Sequence, residues 1–167
     1  MVMKICIVGT GTNSEKLFYT LEKKAYGEVV MSDPREELPM ADYYISGVTN
    51  FKYRKETYEL IKDLDLISYV YDSAFVCDSA SVGDGTVVCS NAIVDFRATI
   101  GKSCWIGPGS IVTHNCVIED NVFLAPGSTI CGSTKIGCNS YIGANALVYD
   151  GMTLPKGTVV HGGQVYR

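Results

Sequence analysis

Between Val70 and Val160 an aliphatic residue returns at every sixth position without a break. The series runs Val70, Val76, Val82, Val88, Val94, Ile100, Ile106, Val112, Ile118, Leu124, Ile130, Ile136, Ile142, Val148, Leu154 and Val160. Four positions after each comes a second series, from Ala74 and Ala80 through Cys104, Ser110 and Cys116 to Ala146, which stays small until Met152. A period of six matches neither the 3.6-residue helix nor the long two-residue alternation of a single strand. It matches a chain that runs in short extended segments and turns a corner after each one, three segments closing a triangular coil. The aliphatic residue fills the prism, and the small residue sits where side chains crowd at the corner. Neighbouring coils then pair as parallel strands about 4.8 Å apart, and the whole array makes a little over five coils, roughly 25 Å of stacked sheet. Strands of an ordinary β-sandwich would return at about 8–12 residues with irregular loops between them, which the unbroken sixfold register does not fit.

Residues 1–69 read differently. Lys4–Val8 is an apolar strand ending in Gly9-Thr10-Gly11. A helix pattern follows from about Asn13 to Tyr26, with Leu17, Phe18 and Leu21 on one face, and Thr12 and Glu15 stand at capping-box spacing. Glu28–Ser32 is a second strand closed by Asp33-Pro34, Asp42–Ser46 a third ending at Gly47, and Tyr53–Lys62 a second helix. Alternating strand and helix implies a small parallel sheet. The expected fold is therefore mainly β: a parallel β-helix over residues 70–167, preceded over 1–69 by a small Rossmann-like α/β domain. Gly9-x-Gly11 lies between strand and helix, where backbone approaches a pyrophosphate and helix N–H groups face it. Asp33 ends the next strand, about where an acidic residue takes a ribose or base donor. Ser14 replaces the third glycine of the full dinucleotide fingerprint. The same residues also read as a plain tight turn, so the motif by itself does not choose between turn and site.

The formal charge is −4, and Lys and Arg do not cluster, which argues against nucleic acid or an anionic membrane as partner, since both are bound through clustered cations. No apolar run of about 18 residues is present to span a bilayer, and Met1–Cys6 leads straight into a strand pattern without a signal-peptide layout. The seven cysteines are odd in number and contain no C-x-x-C pair. They read as small buried apolar residues in a reducing compartment, with cytoplasm the expected location.

The order of parts resembles one branch of the hexapeptide-repeat acyltransferases, in which a small Rossmann-like domain precedes a left-handed β-helix. This branch includes the sialic acid O-acetyltransferases and the UDP-4-amino-sugar N-acetyltransferases of the NeuD/PglD type. Three stretches carry the resemblance: Ile5 to Gly11; Ser46-Gly-Val-Thr-Asn50; and Ile111-Val-Thr-His-Asn-Cys-Val-Ile118 through Ala125-Pro-Gly127 to Tyr141-Ile-Gly-Ala144. The left-handed sense of winding comes from this resemblance and not from the spacing. The resemblance implies an acetyl-CoA-dependent transferase that N-acetylates a nucleotide-linked amino sugar for surface glycan synthesis, as a homotrimer and without a metal.

It further implies His114 as the general base, Asn115 as its neighbour, Gly132 as a backbone donor to the oxyanion and to the cofactor, and Gly143 and Ala144 as part of the CoA groove between subunits. On the acceptor side it implies Gly9, Gly11, Asp33 and Gly47. Residue chemistry agrees on His114, because imidazole is the side chain best matched to proton transfer near pH 7. Only one other histidine exists, His161, which reads as a surface residue on the last coil. Gly132, Gly143 and Ala144 read equally well as corner residues.

The departures from the family also matter. The family places an acidic residue after the histidine, and here it is Asn115; a second histidine of some members is Phe123 here. The histidine that some members carry in the N-terminal turn is replaced by Thr12 and Asn13, and the sequence reaches Arg167 without a Gly-x-Pro-Ala tail, which implies a weaker hold on CoA. Two alternatives follow within the family: a sugar O-acetyltransferase, or a nucleotide-sugar-binding relative with weakened catalysis. A zinc enzyme of the carbonic-anhydrase type on the same helix needs three histidine ligands, and the chain has two histidines with no H-x₄-H pair.

Overall fold

A computed structural model describes residues 2–167 and divides the chain into two compact units, one up to Ile67 and one from Ser68 to Arg167. The first unit is a three-stranded parallel sheet with two helices. Strand β1 (Lys4–Val8) is central, with β2 (Glu28–Ser32) and β3 (Tyr43–Ser46) on either side. A strand covered on both faces must be apolar throughout, and Ile5, Cys6, Ile7 and Val8 of β1 are all fully buried. Burial pushes the Cys6 thiol up to about 11 against the opposing pull of Lys4, so Cys6 is an inert packing residue.

Helix α1 (Thr12–Lys23) buries Ser14, Leu17 and Leu21 on one face. The expected capping box does not form. The N-cap is Gly11, in extended backbone, and Thr12 is already helical, so no side chain caps the helix. The helix also ends at Lys23 and not near Tyr26, because Ala25 (φ 55°) and Gly27 (φ 125°) turn the chain into β2. Helix α2 (Phe51–Ile61) starts before the expected Tyr53, because the Asn50 side chain accepts from the Lys52 N–H at 3.1 Å and fixes the first turn.

From Tyr69–Val70 to Val165–Tyr166 the second unit is a parallel β-solenoid. Its two-residue strands lie in three sheets of six, six and five strands. Val112 pairs opposite Val94 on one side and Ile130 on the other, and Ile130 pairs opposite Val148. Residues eighteen apart therefore stand in register. The thirteen inward aliphatics from Val88 to Val160 are at most 3% exposed, whereas Val70, at the open end of the stack, is 41% exposed. The small positions from Thr86 to Ala146 are buried as well, and several use a hydroxyl to tie the turn: Ser110 donates to the Gly107 carbonyl at 2.7 Å and Ser140 to that of Gly137 at 2.6 Å. Every sixth residue from Gly85 to Gly163 has positive φ. This explains a series of Gly and Asn that the aliphatic pattern does not show, since these residues tolerate the left-handed region best.

On one sheet the outward residues Trp105, Phe123 and Tyr141 stack in a ladder, with centroids 6.4 and 5.3 Å apart and rings nearly parallel. The position at which some family members carry a second histidine is thus a packing position here. Among the described residues no helix is long and apolar enough to cross a membrane.

The interior predicts its own sensitivity. Ile130 is fully buried between Val112 and Val148, so Ile130→Ala should destabilise the solenoid by about 2–5 kcal/mol, through lost burial and an unfilled cavity. Denaturant titration checks this. A loss well under 1 kcal/mol would contradict a close-packed interior.

Candidate active site

His114 follows the strand Ile111–Val112 and lies at a corner of the prism, exposed to solvent. One coil further on, at the same corner, is Gly132: the Ser133 N–H donates to the His114 carbonyl at 2.9 Å and locks the two corners together. The imidazole lies directly on the Gly132 backbone. A Cβ built on Gly132 would fall 2.7 Å from the His114 Nε2 and 3.1 Å from its Nδ1, closer than side-chain atoms pack. A side chain at this position would displace the ring. The Gly132 N–H makes no hydrogen bond among the described residues.

Asn115 has two tasks. At φ 57° it is one of the left-handed corner residues, and its amide nitrogen stands 3.1 Å from His114 Nδ1. The amide can turn either end to the ring. With the oxygen inward, Nδ1 carries the proton and Nε2 is free to accept one; with the nitrogen inward, the tautomer is reversed.

Gly143 and Ala144 do not join this group. They follow the strand Tyr141–Ile142 and occupy a different corner, in line with Pro126 and Gly162. Gly143 has a packing reason of its own, since a Cβ there would fall 2.7 Å from the His161 carbonyl carbon in the next coil. Ala144 is exposed. His161 is exposed on the last coil, and its N–H donates to the Gln164 side chain at 3.0 Å.

The residues expected to hold the acceptor all lie in the first unit, which contains a pocket of about 500 Å³. Gly9 and Asp33 line it, together with Thr10, Arg35, Tyr53, Glu56 and Thr57. Gly9 has φ 129°, which a side chain rarely adopts, and an added Cβ would sit 2.6 Å from the Ser14 hydroxyl. Gly11 and Gly47 are not part of the lining. Gly11 caps α1 with open space at its Cα, and Gly47 makes room for Ser14, whose Cβ lies 2.8 Å from where a Gly47 Cβ would be. The side chain found in place of the third glycine is thus accommodated by the glycines that directly follow β1 and β3.

Asp33 is not an uncommitted acceptor. Arg35 donates to it from Nε at 2.8 Å, from its backbone N–H at 2.9 Å and from Nη2. These bonds hold the carboxyl down at about 2, the side-chain bond from Arg35 contributing most. The residue missed by sequence reasoning is therefore Arg35, which lines the pocket and keeps further N–H donors. Its Asp-x-Arg spacing after β2 was the available signal. Glu56 and Thr57, one turn into α2, had none.

The solenoid segment 97–132 matches the family model "Bacterial transferase hexapeptide (six repeats)". The chain therefore resembles hexapeptide-repeat sugar acetyltransferases. It is 28% identical over 112 residues to GDP-perosamine N-acetyltransferase of Escherichia coli O157:H7, covering 66% of this chain and 51% of that protein, so it spans about half the length of that relative. Among solved structures, a mutant of perosamine N-acetyltransferase from Caulobacter crescentus in complex with CoA and GDP-perosamine superposes with a TM-score of 0.88 at 19% identity, covering 100% of this chain and 90% of that one. The acetyltransferase domain of PglB from Neisseria gonorrhoeae, in complex with acetyl coenzyme A, gives 0.84 at 22%, covering 98% and 90%. At these identities the structural likeness shows the fold.

Two predictions follow from this geometry. Gly132→Ala should drive the imidazole off its seat, seen as changed His114 ring resonances with an unchanged far-ultraviolet CD spectrum; unmoved resonances would contradict the contact. The Asp33 carboxyl is depressed in the folded state, so its pairing with Arg35 contributes to stability above the ordinary value of 3.8 and is lost as pH falls from there to about 2. Carbon NMR should place its midpoint near 2, and Arg35→Gln should return it toward 3.8.

Proposed function

We propose that this chain transfers the acetyl group of acetyl-CoA to the amine of a nucleotide-linked sugar, and that His114 is the base. The observation that carries the reading is the imidazole seated on Gly132, a base placed beside an uncommitted backbone N–H. The amine attacks the thioester carbonyl, and the N–C bond forms. The Gly132 N–H stabilises the oxyanion, a contact worth roughly 3–4 kcal/mol in comparable sites. His114 Nε2 takes the amine proton, with the Asn115 amide oxygen holding Nδ1–H. As the C–S bond breaks, that proton passes to the departing thiolate to give free CoA.

In this reading the solenoid is a left-handed β-helix and the first unit is a shortened Rossmann-like half-fold over about residues 1–69, whose pocket at Gly9, Asp33 and Arg35 receives the nucleotide. Gly11 and Gly47 shape that loop region. Gly143 and Ala144, on another corner, serve the pantetheine chain through a neighbouring subunit, which calls for a homotrimer. The setting is cytoplasmic synthesis of an amino sugar for surface glycans. Support comes from the repeat match, from the fold shared with CoA- and nucleotide-sugar-bound acetyltransferases, and from the site geometry.

With GDP-perosamine as the first acceptor tried, His114→Ala should lower turnover by about 10²–10⁴-fold, the usual contribution of a general base, without loss of fold. An unchanged rate of CoA release would remove His114 from the mechanism. Asn115→Asp keeps a residue that tolerates the left-handed corner and supplies an acceptor-only group, which fixes the productive tautomer and stabilises the imidazolium, so turnover should rise severalfold. An uncharged Asn115 in place of a carboxylate beside Nδ1 favours one second reading, a nucleotide-sugar-binding relative with weak catalysis. Calorimetry separates the two: binding of the nucleotide-sugar with none of acetyl-CoA would favour that reading.

A further inference from the structure

Arg97 stands out among the corner residues. Of the solenoid's positive-φ positions, the others are Gly, Asn or Ser, and Arg97 is the one long charged side chain (φ 54°). A left-handed non-glycine residue without the short polar side chain of Asn is strained, and such strain persists where something else requires the residue. The fold does not require it. The Arg97 backbone N–H donates to the Ser79 hydroxyl at 3.1 Å, which any residue would do. Among the described residues the guanidinium pairs with no carboxylate. Instead it lies over the ring of Phe96, 4.7 Å from its centroid, and Phe96 is itself 45% exposed.

The place of this pair gives it a use. The Asn115 N–H donates to the Phe96 carbonyl at 2.9 Å, so Phe96 and Arg97 form the corner one coil before His114 and Asn115, as Gly132 forms the corner one coil after. If Gly132 receives the thioester oxygen, the acceptor must reach His114 from the opposite side, past Phe96 and Arg97. We propose that Arg97, held in place by Phe96, binds the phosphate joined to the acceptor sugar. Arg97 stands one coil, about 4.8 Å along the stack, from the corner that carries His114 and Asn115, and its long side chain can hold a phosphate far enough out to leave room for a sugar between that phosphate and His114. Guanidinium is suited to this task because it binds phosphate through paired N–H donors. This inference rests on the transferase reading and adds to it the residue that recognises the sugar-linked phosphate.

The test uses Arg97→Asn, which suits the left-handed corner better than arginine does, in the full chain. Its melting temperature should equal or exceed that of the wild type. The KM for GDP-perosamine should rise at least tenfold, the KM for acetyl-CoA should not change, and turnover of free perosamine, which lacks the phosphate, should be unaffected. Arg97→Lys should recover part of the lost affinity. Equilibrium binding of GDP-perosamine without acetyl-CoA is measured in parallel and should weaken to the same degree. Unchanged acceptor affinity, a rise confined to acetyl-CoA, or a fall in melting temperature would each overturn the assignment while wild-type transfer still stood. Absence of transfer by the wild type, with binding still weakened in Arg97→Asn, would overturn the transferase reading and keep Arg97 as a phosphate-binding residue.

Discussion

Parallel pairing between coils is the constraint on which everything else in the solenoid depends. Each two-residue strand is too short to hold a position alone, and the interior is one continuous column of aliphatic side chains. A slip of one residue would turn every inward Val and Ile outward, so the register is enforced by the whole column at once. That enforcement makes the site possible. His114 and Gly132 are distant in sequence, and they meet because the strands before them, Ile111–Val112 and Thr129–Ile130, are locked opposite one another. The meeting of His114 and Gly132 is thus a property of the repeat more than of local loops.

The corner adds a second constraint. From Gly85 on, each turn of the prism places a residue in the left-handed region, and this demand competes with chemistry for the same positions. Asn115 meets both demands, turning the chain at φ 57° while its amide reaches His114 Nδ1. In sequence the residue reads as a departure from the acidic neighbour expected after the base; in the structure it is also one of the best residues for the backbone it occupies. Arg97 is the opposite case, a residue poorly suited to its backbone and kept at the corner one coil before His114.

These two kinds of constraint explain what the sequence disclosed. The solenoid was legible because its core has a strict period, and the period fixed which residues stack: Val112, Ile130 and Val148 lie in one column. The pairing of His114 with Gly132 followed from the same arithmetic. The first unit was legible in outline, with all three strands and both helices foreseen, but the helix ends were not, because capping at Gly11 and Asn50 is decided by backbone geometry and not by periodicity. The pocket was legible only in part. Gly9 and Asp33 announce themselves by position, whereas the bond from Arg35 that commits Asp33 is a tertiary fact, and the packing of Ser14 against Gly47 gives that glycine a structural reason the motif does not show. Gly143 likewise carries a packing demand that a motif cannot distinguish from a binding role.

The central claim is that coil register seats the base beside an uncommitted backbone donor and so builds an acyl-transfer site. It is tested most directly by a crystal structure of the chain with a non-hydrolysable acetyl-CoA analogue. The acyl oxygen should lie within about 3 Å of the Gly132 nitrogen, with the acyl carbon facing the edge of the His114 ring. An analogue bound with its acyl group at another corner, away from both residues, would contradict it.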